Sequence, residues 1–345
     1  MKQKKSLQTL CRLCIFLFVL LTGFWGSPSS VQQGETINTV LTASAATSST
    51  PKLTAKITKN NILKLLKKYD TDGYYVLKKQ IANGDDILTW FTGSSTILAS
   101  IDTAVHEETH AFSFDQAAGY RQAAYYIGNK KSIIVTYTNV FYTKEMASSI
   151  PSGLRTFRYS TYISEASNYL ASNQYGIYGL LNEFMAYRMG MSTMINLYDY
   201  LVDQDADWDM WRIFINQCEN DMQAYAEFKY YMLHYLYYAK KNYPSVYKGI
   251  VQNTQFCKAY KKLEASYSKL ITTYQKDLKE LETYFKNKGY TLTVTNSSVT
   301  LTTYSGNRTS TSSISRFYTT YAKLQKQLSK SRYTTQHNRR LKGAA

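Results

Sequence analysis

Val105-His106-Glu107-Glu108-Thr109-His110-Ala111 decides how the rest of this chain is read. The stretch spells His-Glu-x-x-His, and neither glycine nor proline interrupts the residues around it. A helix is therefore expected from Ser94 to Phe112, with Ser95 or Thr96 placed to cap it. On a helix, positions i and i+4 share a face with Cβ atoms about 5–6 Å apart. That spacing lets both imidazoles converge on one Zn²⁺ at about 2.0–2.1 Å. Glu107 projects beside them, where a carboxylate can take a proton from an attacking water and later hand it to a leaving amine. Histidine is scarce, four in 345 residues, so two of them in register on one helix are a strong signal. The flanks Leu98, Ile101, Val105 and Phe112 are apolar, which implies a buried helix. Burying two histidines and two glutamates without a partner would be costly, and a metal removes that cost.

A catalytic zinc site needs a third protein ligand. Downstream of His110 the sequence runs Ala111-Phe112-Ser113-Phe114-Asp115-Gln116, with no third histidine. The acidic candidates are Asp115, Glu145, Glu165, Glu183 and Asp199. Glu183 stands apart because it interrupts an apolar helical stretch, Tyr178-Gly-Leu-Leu-Asn-Glu-Phe-Met-Ala-Tyr187. Its expected face carries Gly176, Gly179, Ala186 and Gly190. The histidine face is also slim, with Ala99, Thr103, Thr109 and Ser113. Two slim faces would let the helices close on a shared ion, a reason to keep glycines that cost about 1 kcal/mol each in a helix. A competing reading pairs Glu183 with Arg188 or a lysine instead.

His106-Glu107-x-x-His110 followed by Leu181-Asn182-Glu183-x-x-Ala186 resembles the gluzincin metallopeptidases, the thermolysin-like and aminopeptidase-N-like clan. The resemblance implies His106, His110 and Glu183 as zinc ligands and Glu107 as general base. It covers two short helical segments. The 72 residues between His110 and Glu183 exceed the usual gap in that clan. Tyr187 stands where thermolysin-like enzymes carry an aspartate four residues after the ligand glutamate. No GxMEN-like segment lies upstream, which favours an endopeptidase over an aminopeptidase. The clan also uses a histidine or tyrosine from a later helix to stabilise the oxyanion. His234 is the candidate here, with Tyr230, Tyr231 and Tyr235 as competitors and a purely structural role for His234 equally open.

Composition bounds the rest. Charged residues at 19% and hydrophobic ones at 44% exclude wholesale disorder. Residues 1–45 read as a signal peptide: Lys2, Lys4, Lys5 and Arg12, then the apolar run Cys14 to Trp25, then Ala43-Ser44-Ala45 as a small-residue cleavage site. Twelve apolar residues make about 18 Å of helix, short of the ~30 Å hydrocarbon core, so a membrane anchor is the weaker reading. The expectation is a secreted or extracellular chain with no transmembrane span in its mature form. The net charge of +17 falls to +14 once residues 1–45 are removed (37 basic, 23 acidic). Such a charge is compatible with association to anionic cell-surface polymers, although a solvated surface that keeps the chain soluble is the stronger reading; no nucleic-acid motif accompanies it. Of the cysteines, Cys218 and Cys257 remain, either as one disulfide or as two buried thiols.

The expected architecture is a mostly helical α+β fold. Residues 46–57 form a flexible lead-in and 58–205 a zincin-like metal-binding core. Residues 206–331 form a helical C-terminal lobe with a hairpin at 290–304, and 332–345 a basic tail. Within the core, 123–138 reads as a β-hairpin turning at Gly128-Asn129, 155–163 as a further strand, and 177–201 as a helix. Of the 33 tyrosines, those in rich stretches such as Lys229 to Tyr238 fall at helical spacings that suit half-buried core positions rather than a sugar-stacking platform. The function these observations imply is zinc-dependent hydrolysis of polypeptide. A zincin-fold binding protein without turnover, or a zinc hydrolase of a cell-wall component, is the alternative.

Overall fold

Apolar residues recurring at three- and four-residue spacings fold most of this chain into helices. The computed structural model describes residues 50–119, 121–334 and 338–343. The signal segment read over 1–45 lies outside the described residues, as do part of the 46–57 lead-in and part of the basic tail. Residues 50–57 form no helix or strand, yet the Pro51 carbonyl accepts a hydrogen bond from the Tyr200 hydroxyl at 2.9 Å, so this part of the lead-in is fastened.

In chain order the helices are α1 (Lys59–Tyr69), α2 (Thr71–Ala82), α3 (Ile101–Asp115), α4 (Ala171–Gln174), α5 (Ile177–Asn196) and α6 (Tyr198–Asp203). They continue with α7 (Trp208–Asn242), α8 (Pro244–Gln252), α9 (Thr254–Asn287), α10 (Tyr318–Leu328), α11 (Ser331–Tyr333) and α12 (Arg339–Gly343). The strands are β1 (Gln122–Gly128) and β2 (Lys131–Thr136), then β3 (Thr291–Val294), β4 (Ser298–Ser305) and β5 (Arg308–Ser315). Helix α5 is buried almost from end to end and packs between α3 and α7, with α9 lying against it as well. Its apolar side chains Leu180, Leu181, Phe184, Met185 and Met189 join those of α7 and α9 in one core. The mostly helical α+β class stands. No helix among the described residues is long and apolar enough to cross a membrane.

Several elements depart from expectation for physical reasons. Helix α3 begins at Ile101 rather than at Ser94, because residues 95–100 run through bends and turns. The β1–β2 hairpin turns at Asn129-Lys130, one residue later than expected, with both residues at positive φ (54° and 59°). That is the pattern of a hairpin turn whose twist matches its strands. The stretch 155–163 is no strand: it runs through turns into a π-helical segment, Ser160–Ser164. The hairpin at 290–304 gains a third strand, since the serine- and threonine-rich residues after it pair along β4 from Ser298↔Ser315 to Ser305↔Arg308. Cys218 and Cys257 are free and buried.

Candidate metal centre

The centre is built where α3 meets α5. The apolar positions Ile101, Ala104, Val105 and Phe112 are buried and fix the rotation of α3. With that face inward, His110 is buried while His106 and Glu107 are mostly buried at the same edge. The other two polar groups of the turn have hydrogen-bond partners of their own. Glu108 accepts from the Trp90 indole at 2.8 Å, and the Thr109 hydroxyl donates to the Val105 carbonyl at 2.6 Å. Opposite, α5 presents Asn182 and Glu183, both buried.

Three donor atoms converge. The Nε2 atoms of His106 and His110 lie 3.2 Å apart. Glu183 Oε2 lies 3.4 Å from His110 Nε2 and 4.0 Å from His106 Nε2. Ligands on a tetrahedral zinc at about 2.0–2.1 Å are separated from one another by about 3.3–3.4 Å. The 3.2 and 3.4 Å edges of the triangle are close to that length, and the 4.0 Å edge exceeds it by more than half an ångström. A carboxylate oxygen of Glu107 lies within 4.8 Å of both histidine nitrogens, beside the triangle. The donor set of two nitrogens and one oxygen suits zinc.

Orientation is also provided for. The Nδ1 of His110 hydrogen-bonds Asn182 Oδ1, and Asn182 Nδ2 donates to Ser113 Oγ at 2.8 Å. Because Nδ1 is engaged with Asn182, Nε2 is the ring nitrogen that His110 turns towards the triangle. The ring of Tyr187 stands edge-on to His106 with centroids 4.3 Å apart. Behind it, the guanidinium of Arg158 lies over the Tyr187 ring at 4.5 Å, pinned by Glu227 at 2.7 Å and by Asn220 Oδ1 at 2.6 Å. The Tyr187 hydroxyl lies 3.4 Å from that of Tyr162, which comes from the π-helical segment.

The electrostatics follow from crowding charge into a dry corner. Burial pushes the Glu107 carboxyl up to about 8; His110 opposes the rise, and Glu183 and Glu108 add to it. Burial works against a charged His110, but Glu183, Glu107 and the Asn182 hydrogen bond outweigh it and lift the ring to about 9. His106 is driven well below the ordinary range, first by burial and then by its neighbours His110 and Arg158. The site thus holds two carboxylates that lack any lysine or arginine ion-pair partner among the described residues. A divalent cation would supply that missing positive charge.

The expected ligands His106, His110 and Glu183 and the expected base Glu107 are brought together. The competitors for the third ligand are not. Asp115 accepts from Gln80 and Asn83, Glu145 accepts from the Tyr243 hydroxyl, and Glu165 and Asp199 are exposed. Arg188 does not pair with Glu183 either; its Nε donates to Ser266 Oγ at 2.6 Å. The glycine face is only partly explained by the helix pair. A Cβ on Gly190 would lie 3.4 Å from the Asp102 carbonyl of α3, an ordinary contact. A Cβ on Gly179 would instead meet the Ala171 carbonyl at 2.1 Å, so that glycine admits α4 rather than α3.

His234 sits elsewhere. Its Nε2 meets Ser149 Oγ at 2.8 Å and its Nδ1 meets the Tyr333 hydroxyl at 3.1 Å, so both ring nitrogens are engaged away from the triangle. Tyr235 is tied to the backbone of Phe141, and Tyr231 to Thr156. Tyr162, Tyr187 and Asn182 are the polar groups at the centre that sequence reasoning passed over. Asn182 and Tyr187 left traces, as the residue before Glu183 and the residue four after it; Tyr162 left none. Compared with protein families, curated proteins and solved structures, the chain matches none.

Proposed function

We propose that this chain is a secreted zinc-dependent peptidase that cleaves polypeptides internally, on a zincin-like core of α3 and α5. The observation that carries the reading is the triangle of His106, His110 and Glu183 with Glu107 beside it. A zinc ion bound there supplies a Lewis acid for the scissile carbonyl and lowers the pKa of water to around 7. Glu107 accepts the proton of the attacking water and returns it to the departing amine. Asn182 and Ser113 hold His110 in one tautomer. The hydroxyl of Tyr187, whose ring stands against His106, and that of Tyr162, 3.4 Å from it, both feel the charge of Glu183 and replace His234 as donors for the developing oxyanion. Export rests on residues 1–45, read from sequence.

The test compares wild type with Glu107→Gln for zinc content and for digestion of a peptide library with and without chelator. The expected result is one zinc per chain in both proteins and a loss of cleavage of about 10²–10⁴-fold in the variant. Equal cleavage by the two proteins would remove Glu107 from the mechanism. A wild type that takes up no zinc would remove the centre itself. Zinc binding without cleavage of any peptide by the wild type would leave the binding-protein or wall-hydrolase alternative.

A further inference from the structure

Helix α9 exposes a stripe of positive charge that the peptidase reading does not use. Lys258, Lys262, Lys269 and Lys276 are all exposed and follow one another at intervals of four, seven and seven residues. At 3.6 residues per turn those intervals return to one side of the helix, and at 1.5 Å per residue they span about 27 Å. The opposite side is locked into the core by Phe256, Tyr260, Leu263, Tyr267, Ile271 and Tyr274, so the stripe cannot rotate inward.

No carboxylate offsets the stripe over most of its length. Between Thr254 and Gln275 the exposed residues of α9 are lysines and neutral side chains. The one acid in that span, Glu264, is buried and already paired with Lys229 at 2.7 Å and Lys342 at 2.6 Å. The first exposed acid is Glu280, which pairs with Lys276 at 2.9 Å. Exposed Lys248 on α8 and Arg339 and Arg340 on α12 belong to helices packed against α9, and they add to the same field.

We infer that the α9 stripe is a docking surface for a linear phosphate-bearing polymer, lying along the helix and contacting its lysines in succession. Like charges held along one line lower their mutual repulsion when a polyanion of extended form displaces their counter-ions. A bilayer surface is the poorer fit. Amphipathic helices that lie in membranes insert aromatic or large aliphatic anchors, and none of the exposed large hydrophobic side chains falls within Thr254–Asn287. The inference is independent of zinc and of peptide cleavage.

The experiment measures binding of labelled long-chain inorganic polyphosphate to the full chain across a salt series. Four lysine contacts to a flexible polyanion predict a log–log salt slope of about −3. The quadruple variant with Lys258, Lys262, Lys269 and Lys276 each changed to Gln should lose at least tenfold in affinity and flatten the slope. A control of equal charge change, with Lys64, Lys67, Lys323 and Lys326 each changed to Gln, should stay within twofold; these exposed lysines lie on α1 and α10. Circular dichroism checks that both variants keep their helices. Equal loss in both variants would assign binding to net charge and overturn the stripe. So would failure of the wild type to bind polyphosphate, or a quadruple variant that loses binding only to anionic phospholipid vesicles.

Discussion

Glu183 and Glu227 are both buried carboxylates on long helices, and the way each is enclosed separates a candidate site from scaffold. Glu227 is fully buried and fully partnered: the Arg158 guanidinium at 2.7 Å, the Gln223 amide at 3.1 Å and the Arg158 backbone N–H at 3.3 Å surround it. Glu219 is enclosed in the same manner by Arg316 at 2.6 Å, the Tyr274 hydroxyl at 2.9 Å and the Phe317 N–H at 2.9 Å. Around Glu183 the nearest nitrogens stand back at 3.4 and 4.0 Å, and they belong to imidazoles instead of a fixed cation. Hydrogen bonds contract to under about 3 Å when charge assists them. The wider spacing leaves room for an ion between the donors. A scaffold carboxylate is closed by its partners, whereas this one is held open by them.

Removing a partner from each carboxylate tests that difference. Arg158→Ala strands the buried Glu227 and is expected to cost about 3–5 kcal/mol in chemical denaturation. Glu183→Gln, measured in chelator, removes no fixed ion pair and is expected to change stability by only about 1 kcal/mol. If Glu183→Gln in chelator proves as costly as Arg158→Ala, Glu183 belongs with the scaffold. The second expectation concerns the metal itself. Zinc at a hundredfold excess over its dissociation constant should stabilise the wild type by about 2.7 kcal/mol in thermal or denaturant unfolding. The same addition should leave Glu183→Gln nearly unmoved, and an equal response from both would exclude Glu183 as a ligand.

The two glutamates also show why one region was readable in sequence and the other was not. His106 and His110 announce themselves through helical spacing, and Glu183 through its misfit in an apolar run; both signals are local. Arg158 gives no such signal. Its surroundings, Thr156-Phe157-Arg158-Tyr159-Ser160-Thr161-Tyr162, alternate in the manner of a strand. Tertiary forces override that preference, because Glu227 and Asn220, more than sixty residues away, draw the guanidinium inward and the chain coils into the π-helical segment. The position of Tyr187 beside His106, with Tyr162 next to Tyr187, follows from that distant pairing. His234 misled for the converse reason. Scarcity made it conspicuous, but its role was decided by Ser149 and Tyr333, which no spacing rule connects to it. The α9 lysines were visible as residues, but only the burial of the opposite face turns them into a stripe.

Asn182 refines the comparison at the centre itself. In the scaffold clusters a hydrogen bond closes a charge; here it aims a ligand. Asn182→Ala releases the His110 ring and is expected to weaken zinc binding by about 10–100-fold, or roughly 1.4–2.7 kcal/mol, as outer partners of metal ligands usually do. Competition against a chromophoric chelator gives the number. Zinc affinity equal to wild type would show that His110 is oriented by packing alone.

The smallest expected effect lies one turn before the histidines, where a carboxylate is buried with neither a cation nor an open face. Asp102 on α3 and Asp221 on α7 influence each other across the small contact at Gly190. Burial raises the Asp102 carboxyl from its ordinary value of 3.8 to about 7, against the pull of its Thr103 hydrogen bonds. Because the folded state holds this proton more tightly than the unfolded chain, the stabilising contribution is complete below about pH 4. It declines as the pH rises to about 7, and beyond that the full cost of a buried charge is present. Asp102→Asn removes the charge and keeps the shape. It should raise stability at pH 8 by an amount on the order of 1 kcal/mol, since lost carboxylate hydrogen bonds offset part of the gain. At pH 4 the variant should gain nothing. The Asp221→Asn change should act in the same direction, and the double variant should gain less than the two separate effects combined because each charge worsens the other. A variant stabilised equally at pH 4 and pH 8 would mean that the carboxyl does not change its charge between them.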